Sequence, residues 1–110
     1  MIEEIIQNYL RENAFPCYMS VPEKPSGNFC VLEKTGSSYK DGIFTATLAV
    51  QSYGSSDYAA AQLSHRVVQT MLDAGTLPEI VSCTLNTDYN FPDTTRKLPR
   101  YQAVFDVVHY

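Results

Sequence analysis

The sequence predicts an α+β fold: a mostly antiparallel sheet of four to five strands with two helices packed on one face. Three observations carry that expectation. Two segments, near residues 2–12 and 57–75, repeat their apolar residues at helical offsets, whereas five others alternate or run apolar as strands do. The order reads helix, strand, strand, strand, helix, strand, strand, which is not the strict alternation of a parallel α/β sheet. With 110 residues, 45% of them hydrophobic and 18% charged, the chain suits one domain over 1–110 with its own core.

Each element has its own reason. In "IEEIIQNYLRE" the apolar Ile2, Ile5, Ile6, Tyr9 and Leu10 form one stripe, with Glu3 and Glu4 in the first turn and Arg11 in the last, as the helix dipole favours. Pro16 discourages continuation, and "CYMSV" reads as a short strand before Pro22. "VPEKPSGN", residues 21–28, is a loop by composition. "FCVLEKTG" places Phe29 and Val31 on one side and Cys30 and Leu32 on the other, as in a strand covered on both faces. "SSYKDG", residues 37–42, is the expected hairpin connection, with Asp41-Gly42 its strongest turn signal. "IFTATLAVQSY" follows with a half-buried alternation of Phe44, Ala46, Leu48 and Val50.

At Gly54 the period changes from two to 3.6. Ser55 or Ser56 is placed to cap a helix that sets Ala60, Leu63, Ser64, Val67, Val68, Met71 and Leu72 on one flank, with Gly75 as the expected C′ residue and Pro78 beyond it. "EIVSCTLNTDYN" and "RYQAVFDVVHY" then read as an antiparallel ribbon joined through "FPDTTRKLP". In its second strand Tyr101, Ala103, Phe105 and Val107 face one way. Val104 and Val108 suggest partial cover on the other side.

The net charge of −4 argues against a general nucleic-acid binder, which carries a basic face. No apolar run is long enough for a membrane helix, and the acidic "MIEEIIQNYL" does not read as a signal peptide. Cys17, Cys30 and Cys83 are odd in number, lack CxxC spacing and fit buried free thiols in a reducing compartment. No Gly-rich phosphate loop is present. His65 reads as a boundary residue of its helix and His109 sits one residue from the end. Asp88 and Asp93 carry turn chemistry rather than a catalytic pair. An enzyme is therefore not expected, and no cofactor or metal is implied.

Two features point instead to contact with other proteins. Arg96, Lys97 and Arg100 concentrate positive charge within five residues of an acidic chain. They suit either a solvated turn or a patch that docks on an acidic surface. Eight Tyr and no Trp place Tyr53, Tyr58, Tyr89, Tyr101 and Tyr110 around strand ends and the helix start, where an apolar ring with a polar tip suits either an interface or the ordinary composition of a sheet.

The string "VLEKTGSSYKDGIFTATLAVQSYGSSDYAAAQL", followed by "SCTLNTDYNFPDTTRKLPRYQAVFDVVHY", resembles the small tail-completion or tail-terminator proteins of prophages and long-tailed phages, also described as minor capsid or head–tail joining proteins. The most telling parts are the hairpin ending in "QSYG", the helix directly after it and the terminal strand. The resemblance implies a virion protein, made in the bacterial cytoplasm, that forms a homo-hexameric ring at the head-proximal end of the tail tube. Its partners would be further copies of itself, the tail tube protein and the head connector, with DNA only passing through and no membrane. Arg96, Lys97, Arg100, Tyr101 and Tyr110 are the expected interface residues. Another neck protein, or a small α+β ligand-binding or enzymatic domain, stands as the alternative.

Overall fold

The computed structural model describes residues 1–25 and 27–110. Helix α1 (Ile2–Glu12) buries Ile2, Ile6 and Leu10, the stripe its spacing dictates. It stops before Pro16 is reached. Ala14 adopts a left-handed φ of 69°, the Phe15 N–H donates to the Leu10 carbonyl at 3.0 Å, and the Ala14 N–H donates to that of Arg11 at 3.0 Å. That pair of bonds is the Schellman closure that usually employs glycine.

Strand β1 (Cys17–Tyr18) is two residues long and lies parallel to β2 (Phe29–Lys40), with Cys17 beside Cys30. The loop expected over residues 21–28 lies between them; Ser26 falls outside the described residues. Strand β3 (Ile43–Tyr53) runs antiparallel to β2. The hairpin connection is shorter than the expected 37–42: β2 continues to Lys40 and only Asp41 and Gly42 turn, at φ 54° and 83°. Two successive left-handed residues make the tight turn whose twist matches the strands, so pairing persists right up to it. One irregularity, an extra residue at Thr35, interrupts the ladder.

Helix α2 (Asp57–Leu72) starts where the period changes. Ser56 caps it, its Oγ accepting from the Ala59 N–H at 3.1 Å. Gly75 is not the expected left-handed cap: the helix passes through Asp73 into a 3-10 turn over Ala74–Thr76 that contains it. Leu72, expected on the apolar flank, points to solvent at 48% exposure. The last two strands, β4 (Ile80–Asn90) and β5 (Arg100–His109), pair antiparallel as expected.

The sheet order is β1-β2-β3-β5-β4. The chain therefore ends in a strand because β5 is an interior member, hydrogen-bonded to β3 on one side and β4 on the other. Both helices lie on one face. Ile6, Leu10, Leu63, Val67 and Met71 pack there against Leu32, Leu48, Val50, Phe105 and Val107. All three cysteines are free and buried; burial pushes Cys17 and Cys83 up to about 11 and Cys30 to about 12. On the opposite face a small cluster of Phe29, Val31 and Tyr53, with Val21 and Leu98 against it, covers one end. Val104 and Val108 are half-buried on that face, which otherwise carries no helix.

Candidate interaction surface

The basic segment lies in the connection between β4 and β5, which is itself folded. The Asp93 and Leu98 backbones exchange two hydrogen bonds, at 3.0 and 3.1 Å, and the Phe91 N–H donates to the Arg100 carbonyl at 2.9 Å. The ribbon thus continues past the strand ends and closes over Thr94–Lys97, where Lys97 takes a left-handed φ of 55°.

Asp93 organises this loop. Its side chain is 5% exposed and accepts three hydrogen bonds. The Tyr53 hydroxyl donates at 2.9 Å, the Arg96 backbone N–H at 3.1 Å and the Arg96 guanidinium at 3.1 Å. The Arg100 guanidinium stands 3.8 Å away. Burial alone would raise the carboxyl's pKa, but those donors and the Arg100 charge outweigh it and hold the group below its ordinary value. Tyr53 shifts the other way, its phenol raised by burial despite the Arg100 hydrogen bond.

The expected interface residues do not converge on one patch. Arg100 is 14% exposed in its side chain and points inward. It donates to the Phe91 carbonyl at 2.7 Å and the Tyr53 hydroxyl at 3.1 Å, and lies 4.4 Å over the Phe91 ring. Arg96 is half-exposed but tied to Asp93. Lys97 is exposed and, among the described residues, forms no ion pair. It borders a shallow groove of about 370 Å³ with Asp57, Pro92 and Pro99. Tyr101 is half-buried on the helix-side face of β5. Tyr110 is exposed at the far end of the molecule, beside Phe44 and His109 at a second groove of about 330 Å³. Tyr53, counted among the surface tyrosines by sequence, is a core residue.

What sequence reasoning missed is the partnership of Tyr53 with Asp93, forty residues apart. The only local signal was the Asp93–Arg96 spacing, a turn in which a carboxylate reaches the N–H three residues on. It also missed which edges are free. Interior β5 offers none. β1 shields only Cys30 and Val31 of β2, leaving Glu33–Lys40 as an open edge, and β4 is the open edge opposite. The helix-free face between them holds a ladder of polar side chains. Gln51 donates to Gln102 at 3.0 Å, Gln102 to the Tyr89 hydroxyl, and Asn86 to Asp106 at 3.1 Å. Exposed apolar groups gather at the hairpin tip, where Tyr39 packs on Phe44 at 4.6 Å and Phe44 stacks on His109 at 5.3 Å. Val81, Leu85 and Leu72 are exposed elsewhere, the first two along β4.

Among the described residues no group of three His, Cys, Asp or Glu side chains could hold a metal ion. Among those described residues no helix is long and apolar enough to cross a membrane. The geometry defines the class: an α+β protein with one helix-covered sheet face, an opposite face covered only at one end, and two unlike open edges. No protein-family model matches the chain, and no curated protein matches it in sequence.

Proposed function

We propose that this chain is a structural assembly protein of a long-tailed phage or prophage, which caps the head-proximal end of the tail tube as a six-fold ring and helps join tail to head. The reading rests on the resemblance in sequence. The observation that carries it in three dimensions is the pair of open edges, on strands of different sequence, flanking a sheet whose helices all lie on one side. Unlike surfaces on one subunit support head-to-tail contacts, which close into a ring where the rotation from copy to copy divides a full turn. Exposed aromatics at the hairpin tip and the free charge of Lys97 give the ring groups with which to meet the tube and the head connector. The patch is narrower than the sequence suggests, because Arg100 is committed to the Phe91 carbonyl and the Tyr53 hydroxyl and Arg96 to Asp93.

Absolute mass by light scattering behind size exclusion, with negative-stain imaging of each peak, tests the reading. The expected result is six-fold rings, formed by the protein alone or on adding purified unterminated tails, whose further growth then stops. A strict dimer at every concentration, with no effect on tails, would overturn it.

A further inference from the structure

The two open edges match each other in direction, in face and in charge, and the match names the contact. β2 is antiparallel to β3, β3 to β5 and β5 to β4, so β4 runs opposite to β2. A second copy rotated about an axis along the strands therefore brings its β2 antiparallel to β4 of the first. The sheet continues across the boundary with its alternation unbroken.

Each edge carries a bulge that reverses which residues face the helices. On β2 the extra residue is Thr35: Lys34 faces the helix side before it, Ser37 and Tyr39 after it. On β4, which has a second irregularity at Val81 lying beyond the end of the paired stretch, it is Asn86: Cys83 and Leu85 face the helix side before it, Asp88 after it. Setting Lys34 opposite Asp88 places Ser37 opposite Leu85 and Tyr39 opposite Cys83 on the helix side. Ser38 then meets Thr84 and Lys40 meets Ser82 on the bare side. The two bulges fall almost against each other, so every pair keeps its face. A bulge on one edge alone discourages pairing; bulges matched on both edges admit the copy that carries the partner.

Charge selects the same arrangement. The free part of β2 holds Lys34, Lys40 and Glu33, whereas β4 holds Asp88 and no basic residue. β4 against β4 offers only Asp88 to Asp88, and β2 against β2 sets two lysines on each strand against one Glu33; β2 with β4 joins net opposite signs. Lys34 is held only loosely at home, 3.8 Å from Glu3. The contact also brings Tyr39, 62% exposed, beside Leu85, 37% exposed.

We propose that the β4 edge of one copy pairs antiparallel with the β2 edge of a second copy, with Lys34 opposite Asp88 and Ser38 opposite Thr84. This rests on the ring reading, and supplies its contact. Residues opposed across antiparallel strands have Cα atoms about 4.5–5.5 Å apart, inside the range a disulfide spans. The test is the full chain carrying both Ser38→Cys and Thr84→Cys, oxidised mildly and run without reductant. The native protein, whose cysteines are buried, and each single variant serve as controls. The expected result is a ladder of three or more linked copies from the double variant, linked pairs from an equal mixture of the two singles, and none from either single alone. Linked pairs from one single variant would overturn the proposal in favour of like-edge pairing. Six-copy rings by light scattering without cross-links would overturn it while leaving the ring standing. A chain that neither assembles nor cross-links, with or without tails, would sink both.

Discussion

Asp93 shows what one residue does when three elements converge on it. It accepts from the phenol of Tyr53 on β3 and from the backbone and guanidinium of Arg96 in its own turn, and pairs in charge with Arg100 on β5, with little water to share the work. Hydrogen bonds to a charged group are worth about 1.5–3 kcal/mol each net, more when removal strands a buried partner. Asp93→Asn should therefore destabilise the chain by about 2–4 kcal/mol at neutral pH, read by urea unfolding. The folded carboxyl titrates below its ordinary value of 3.8. Its charge thus stabilises the fold above that pH, and the contribution is lost as pH falls through the lower folded value. The gap between parent and Asp93→Asn should narrow as pH falls from about 5 through and below the carboxyl's ordinary value of 3.8. A gap constant across that range would show that the charge is not what holds the loop. The cluster of Arg96, Lys97 and Arg100 was legible as charge, but not its division into committed and free members. Composition records that three cations are near one another; only the register of β3 against β5 brings Tyr53 opposite Arg100.

At the scale of elements, the periodicities were legible because burial imposes them. α1 and β3 occupy the segments their apolar spacing marks, and Asp41-Gly42 turns where its dipeptide says. Ends were less legible when an uncommon residue did the work. Ala14 closes α1 in a left-handed conformation where glycine is usual, and Gly75 sits ready for that role at the end of α2 without taking it. A left-handed alanine costs roughly 1 kcal/mol. Ala14→Gly, at an exposed position, should raise stability by somewhat less than that, about 0.5 kcal/mol after the added chain entropy. Gly54 presents the reverse case. A Cβ there would lie 2.5 Å from the backbone nitrogen of Ala60, so the start of α2 would have to lift off the end of β3. Gly54→Ala should cost on the order of 3 kcal/mol, seen as a lower melting temperature, whereas an unchanged one would mean that α2 shifts freely.

The whole molecule is long for its mass, 43 × 24 × 24 Å, because the β2–β3 hairpin and the β4–β5 ribbon outrun the helices that cover them. Beyond the helix-covered core the sheet has little of its own to bury. Glu33–Lys40 and Thr84–Asn90 are exposed throughout. A free chain of this shape leaves the outer halves of its edges unpaired, and assembly would supply the missing partners. Thermal stability is then a property of the assembly as well as of the fold. A partner that binds only the folded chain adds about 2.7 kcal/mol when its concentration is 100 times the dissociation constant. For a domain of this size that corresponds to a rise of roughly 10 °C in Tm. Calorimetry over a hundredfold range of protein concentration, spanning the onset of assembly by light scattering, should show Tm climbing with concentration. The double cysteine variant, once cross-linked, should lose most of that dependence, because its partners are already attached. A Tm that ignores concentration while mass rises would mean that the contact is made by surfaces whose folding does not depend on it, and the open edges would no longer be its source.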